Sequence, residues 1–263
     1  MTTLHNSKEA PTSDTPDISP RQFCCAHGIV DTCILDRDSS RRRFLQTTIG
    51  GTLAALATAA GVEFATPHPV LAQSKLSPSA ALQELMDGNR RFTSGHLTSC
   101  EQDLAILKQN TIEKQEPFAA VLSCADSRVP VELAFDQSIG HIFVTRVAGN
   151  VVTPEIIASL EYGAAVLGTK VILVMGHGSC GAVKATLQGK EVPGQISALY
   201  PHIQPAVDQA GPNLEAATKA NAKIQSALLR QASTVISGLV KEGKLKVVAA
   251  YYDIASGAAT LLD

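Results

Sequence analysis

Neither sign of charge dominates this chain: 22 Lys and Arg stand against 24 Asp and Glu, a formal net charge of −2. Nucleic acid and an anionic membrane surface therefore drop out as partners. Charged residues make up only 17%, low but typical of a soluble globule, and 45% hydrophobic content is ample for a core. Trp is absent, and nothing follows from that. No apolar run comfortably reaches the ~20 residues of a membrane span. Cysteine is scarce, six in 263 residues, and no C-x-x-C pair occurs among them. Neither a disulfide framework nor a paired-cysteine metal finger fits that count and spacing.

What is present divides the chain. Residues 1–40 are rich in Ser, Thr, Pro and Asp without a helix or strand period, which reads as disorder. Ser40-Arg41-Arg42-Arg43-Phe44-Leu45-Gln46 is a twin-arginine pattern, followed by a weakly apolar, Ala- and Gly-rich segment from about Thr47 to Val62. Val70 and Ala72 supply small or apolar residues at −3 and −1 of a cut before Gln73. Residues 1–72 are thus expected to be a leader and cleavable export signal, directing the remainder to the periplasm; a retained anchor is the less favoured reading. Cys24, Cys25, His27 and Cys33 precede the signal and would leave with it. Three cysteines then remain, Cys100, Cys124 and Cys180, an odd number in an oxidising compartment.

The rest reads as one α/β domain over 76–263 with a mostly parallel sheet flanked by helices. A capped amphipathic helix starts near Pro78 and stops at Gly95. "PFAAVLSC" and "GHIFVTRVAG" are strands, and "TPEIIASLEYGAAVLG" is a helix with Thr153 as N-cap and Gly168 as its stop. "KVILVMGHGSCGAVKATL" is strand, Gly-rich turn and helix start. Residues 212–243 are helical in more than one segment, and 244–263 give a strand, a turn and a short terminal strand.

In "VLSCADSRVP" a thiol, a carboxylate and a guanidinium stand two residues apart, so in extended chain Cys124, Asp126 and Arg128 point the same way. "VILVMG" ends just before His177, and Cys180 follows three residues later. Two strands thereby deliver Cys124 and the His177/Cys180 pair to one sheet edge, where open parallel sheets bind ligands. Glycines 176, 178 and 181 are expected to let the chain turn there. Two thiolates and an imidazole with an open fourth position form a catalytic zinc set. A Cys124–Cys180 disulfide and a Cys124 nucleophile activated by His177 remain as alternatives at this point.

"SCADSRVP" with "MGHGSCGAV" resembles the signature pair of the β-class carbonic anhydrases, and similarity continues through "FDQSIGHIFVTRVAGN" and "VVAAYYDIASG", over about 79–262. The resemblance implies one zinc ion on Cys124, His177 and Cys180, and Asp126 with Arg128 as catalytic dyad. It implies reversible hydration of carbon dioxide to bicarbonate, in a homodimer or higher homo-oligomer with the active site at the subunit interface. Asp126 is implied to orient the attacking hydroxide, or to close the site as a fourth ligand, while Arg128 keeps it ionised. Gln115, nine residues before Cys124, matches a glutamine that binds substrate in many members. Gly149 and Asn150 match a segment near the active site without an assigned role. Where some relatives carry a Trp lining an inhibitory bicarbonate site, this chain has Val121, which puts that inhibition in doubt. His141 and His202 are the candidates for a proton shuttle, the alternative for both being a surface histidine. The alternatives are a carbonyl sulfide or carbon disulfide hydrolase on the same ligands, and a non-catalytic zinc-binding or thiol protein.

Overall fold

Alternate apolar residues along the central strands face opposite helical layers, and this period sets the architecture. The computed structural model describes residues 74–99, 111, 112, 114–189 and 192–262. Five strands, β1 (Ala119–Ser123), β2 (Ile142–Arg146), β3 (Val171–His177), β4 (Lys246–Tyr252) and β5 (Ala259–Leu262), form one sheet in the order β2-β1-β3-β4-β5. The first four run parallel, giving the mostly parallel sheet that the sequence predicts, and β5 is antiparallel to β4. β1 and β3 are buried along their whole length, which explains their near-continuous apolar composition.

Val121, Leu173 and Met175 pack on one face with Leu85 of helix α1 (Pro78–Ser94) and with Val131 and Ala134 of the short helix α2 (Val131–Ala134). Leu122, Ile172 and Val174 pack on the other face with Leu160 of α3 (Pro154–Glu161), Leu229 of α6 (Leu214–Ala232) and Ile236 of α7 (Thr234–Lys241). The β1–β2 and β2–β3 connections travel opposite ways along the sheet and lie on opposite faces, as right-handed crossovers require. The strand order reverses at β1, so the crevice beyond the carboxyl ends of β1 and β3 is the switch point.

Local signals hold, with three differences. Ser77 caps α1 through Ala80 N–H (3.2 Å), and Gly95 ends it in the left-handed region at φ 75°. Thr153 does sit at the N-cap of α3, but its hydroxyl donates to Glu155 Oε2 (2.9 Å) rather than capping the backbone. That helix widens into a π turn over Tyr162–Val166 before Gly168 reverses the chain. α5 (Tyr200–Ala210) is absent from the sequence expectations because Pro201 and Pro205 argue against a helix; Pro201 falls in its first turn, where proline is tolerated. Ser233 separates α6 from α7, its Oγ accepting from Ile236 N–H (3.0 Å) and donating to Glu161 Oε1 (2.6 Å). None of the helices of the described residues is long and apolar enough to cross a membrane. The leader, the signal and Cys100 lie outside the described residues.

Candidate metal centre

β1 stops at Ser123, and Cys124 is the next residue; β3 ends on His177; Cys180 occupies the N-cap of α4 (Gly181–Gln188). Their Sγ and ring nitrogen atoms all lie within 4.8 Å of one another, and all three side chains are buried. Both thiols are free, so no Cys124–Cys180 disulfide forms.

His177 Nδ1 lies 2.9 Å from the Gly178 carbonyl, a contact that only an Nδ1–H can make. The proton on Nδ1 leaves Nε2 with a lone pair, and that buried nitrogen has no hydrogen-bond partner among the described residues. A buried imidazole lone pair facing two thiols is costly as it stands and satisfied by a metal ion. Cys124 Sγ accepts from Gly149 N–H (3.3 Å). Its thiol is held far below the usual range, first by the hydrogen bond from Cys180 and also by the Gly149 N–H. The thiol of Cys180 is pushed up as the donor in that pair and by burial, although the N–H groups of Val183 and Ala182 at the start of α4 oppose this. One proton between two buried sulfurs is what a soft divalent cation replaces.

The dyad adjoins this set. Arg128 donates to Asp126 through Nε to Oδ1 (2.9 Å) and Nη2 to Oδ2 (2.7 Å), a bidentate pair, and its backbone N–H adds a third bond to Oδ1 (2.9 Å). The Arg128 guanidinium, and after it the Arg128 N–H, hold the Asp126 carboxyl well below the usual carboxylate range. Arg128 Nη2 also reaches the Ser179 carbonyl (3.3 Å), joining the two loops. Asp126 Oδ2 stands 3.9 Å from His177 Nε2.

The residues meet as the sequence suggests, for partly different reasons. The strand ends before the triplet, so Cys124, Asp126 and Arg128 converge through a turn, closed by Val129 N–H on Asp126 O (3.1 Å), not through extended alternation. Among the loop residues it is Ser179, at φ 55°, that takes the left-handed conformation expected of the glycines. Gly176 and Gly178 serve close approach instead: a Cβ would meet Thr218 at 3.0 Å and Tyr251 Oη at 3.1 Å. Gly181 meets neither need. Gln115 precedes β1 whereas Cys124 follows it, so a strand of ~16 Å separates them within one chain. His141 likewise immediately precedes β2, at the amino end of the sheet, while His202 lies on α5 with its carbonyl held by Gln225. The sequence assigned no role to Gly149, whose N–H meets Cys124, or to Arg146, which reaches the Cys124 and Asp126 carbonyls.

A family model described as "Carbonic anhydrase" matches residues 119–259, more than half of the chain. The chain belongs to that family. It is 34% identical over 192 residues to a carbonic anhydrase of Mycolicibacterium smegmatis, covering 69% of this chain and 91% of the relative. It is 32% identical over 195 residues to carbonic anhydrase 2 of Mycobacterium tuberculosis, covering 71% and 94%. Among solved structures, the β-carbonic anhydrase CafA of Aspergillus fumigatus aligns with a TM-score of 0.57 at 26% identity, over 70% of this chain and 90% of that one. The β-carbonic anhydrase of Coccomyxa aligns with a TM-score of 0.54 at 25% identity, over 69% and 86%. The protein is accordingly a β-class carbonic anhydrase, a carbonate dehydratase. β-Carbonic anhydrases are zinc enzymes, and Cys124, His177 and Cys180 are the group here that could hold the ion.

Proposed function

We propose that Cys124, His177 and Cys180 hold zinc and that Asp126 and Arg128 carry out the reversible hydration of carbon dioxide beside it. The observation that carries this reading is the convergence of three soft donors on one point, next to a carboxylate locked in a bidentate ion pair. Zinc in such a site lowers the pKa of water and supplies hydroxide near neutral pH. Asp126, ionised throughout that range, accepts a hydrogen bond from the nucleophile and aims its lone pair at the carbon of the substrate. Arg128 keeps the carboxylate charged and fixes its two oxygens. Two thiolates offset the charge of the ion, so the rate is expected to rise toward alkaline pH. Val151, Val183 and Ile203 pack beside the cysteines and give the ligand atoms an apolar setting.

Nothing in the site favours carbonyl sulfide or carbon disulfide, and zinc storage requires neither Asp126 nor Arg128. Stopped-flow hydration of carbon dioxide beside hydrolysis of carbonyl sulfide tests the reading. Faster turnover of carbon dioxide is expected; carbonyl sulfide as the only substrate turned over would overturn it.

Three further proposals complete the reading. First, the protein acts as a homodimer or larger homo-oligomer. β2 is an edge strand of the sheet with half-buried Phe143 and Val144, a surface suited to a second copy. A substrate contact from Gln115 is then one between copies, since β1 separates Gln115 from its own Cys124. Second, residues 1–72 form a leader removed after Ala72, leaving one catalytic domain over 76–263. Third, the twin-arginine signal exports this chain folded to the periplasm, with zinc already loaded so that buried Cys124 and Cys180 escape oxidation. Rerouting the chain for export unfolded is expected to yield zinc-poor, oxidised protein; equal zinc content by both routes would exclude this order of events.

A further inference from the structure

Beyond Ser123 the chain leaves β1, and the carbonyls of Cys124 and Asp126 lose their partners in the sheet ladder. Buried or half-buried carbonyls need a donor. Each has a local one, Ser123 Oγ–H on Cys124 O (3.3 Å) and Val129 N–H on Asp126 O (3.1 Å), and the two share a further one. Arg146, the last residue of β2 and the register partner of Ser123, donates from Nε to Cys124 O (3.0 Å) and from Nη2 to Asp126 O (2.5 Å). No ion pair of Arg146 with a carboxylate occurs among the described residues. Its planar fork is thus committed to two main-chain oxygens that flank Ala125.

We infer that Arg146 is a positioning residue that sets the spacing between the metal-binding thiolate of Cys124 and the carboxylate of Asp126. The inference rests on the roles proposed above for those two side chains. Arg128 fixes the Asp126 side chain from the solvent side, and Arg146 fixes the backbone that carries it. Without Arg146, the turn between Cys124 and Arg128 keeps its internal bonds, Val129 N–H to Asp126 O and Arg128 N–H to Asp126 Oδ1, and can move as a unit relative to the thiolate. The protein would then keep its metal and still misplace its carboxylate. Lysine cannot substitute, because one ammonium group does not span two carbonyls with the fixed geometry of a guanidinium.

The test compares the full-length holoenzyme with Arg146→Lys, Arg146→Ala and Asp126→Asn. Readouts are kcat and KM for carbon dioxide, zinc content, and the thiolate charge-transfer absorption of cobalt-substituted protein. Arg146→Lys should lower kcat roughly 10- to 100-fold, the scale of an ångström-level misplacement, with KM, zinc content and cobalt spectrum close to those of the parent. Added methylguanidinium should restore part of kcat to Arg146→Ala, and methylammonium should not. Parental kcat in Arg146→Lys, while Asp126→Asn is impaired, would overturn the inference alone. Zinc lost from Arg146→Lys in proportion to kcat would also overturn it, by making Arg146 a prop of the metal ligand. Parental kcat in Asp126→Asn would instead sink the catalytic role of Asp126.

Discussion

The two ends of the sheet offer opposite kinds of opening. At the amino ends of the strands lies a cavity of about 610 Å³, lined by Gly168, Thr169, Lys170, Thr234, Glu242 and Lys244 among others. That volume is of the size expected for ligand sites. Two of its charges pair with each other, Lys244 with Glu242 at 2.8 Å. The backbone there closes on itself, through Lys170 N–H to Phe118 O and Lys246 N–H to Lys170 O. At the carboxyl ends, three donor atoms within 4.8 Å of one another converge with a locked carboxylate beside them. Each end even holds a buried polar atom without a hydrogen bond among the described residues, Thr169 Oγ1 at one and His177 Nε2 at the other. A lone hydroxyl is a small local cost, whereas a lone imidazole nitrogen facing two thiols is a ligand set. Convergence of donors, not volume, locates the chemistry.

The largest effects are expected where the donors meet. Cys124→Ser, Cys180→Ser or His177→Ala should abolish both zinc retention and carbon dioxide hydration, read by metal analysis and stopped flow. Full activity in any of them would break the contrast between the two ends. Asp126→Asn should keep zinc and lower kcat by about 10²–10³-fold, the scale for a group that acts on the transition state. Arg128→Lys should cost roughly 10-fold or more, because a point charge cannot hold both carboxylate oxygens.

pH separates the metal from the dyad. A carboxyl with a depressed pKa contributes above the ordinary value and loses that contribution only as pH falls through its lower folded value. Asp126 therefore stays charged from about pH 7 to 9, so the rise in rate expected over that range would come from water activated by the proposed zinc. Asp126→Asn should lower the whole profile without shifting its midpoint. A rate that falls between about pH 7 and 9 would contradict the assignment.

The smallest effects are expected at the amino end. Lys170→Ala should leave kcat within about twofold of the parent, since surface changes away from a site are usually mild. Thr169→Val removes the hydroxyl without changing shape, and should be neutral or stabilise the fold by up to ~1 kcal/mol in thermal unfolding. A large loss of hydration rate in either variant would show that the two ends are coupled.

Much of this was legible in the sequence because strands and chemistry share their punctuation. An apolar run that stops at Cys124, and another that stops before His177, mark the sheet edge and its ligands together. Asp126 and Arg128 were legible as a pair, although a turn rather than strand alternation brings them to the site. What escaped acts through main-chain atoms. Gly149 contributes its N–H to Cys124, and Arg146 binds carbonyls, so neither carries a side-chain motif that points to its partner. The left-handed residue of the zinc loop was also hidden, since Ser179 takes it just after Gly176 and Gly178, which serve close approach instead. α5 was masked by Pro201 and Pro205, although Leu199, Ile203, Ala206, Val207 and Ala210 hold a helical period against Cys180 and Val183.

The central claim is that hydration depends on a metal held by Cys124, His177 and Cys180. Its most direct test is the stopped-flow rate of carbon dioxide hydration measured on one preparation as isolated, after chelation, and after zinc is restored. The rate should fall to background with the metal and return with about one zinc per chain. A rate indifferent to chelation, or a fully zinc-loaded protein without hydration activity, would contradict the account.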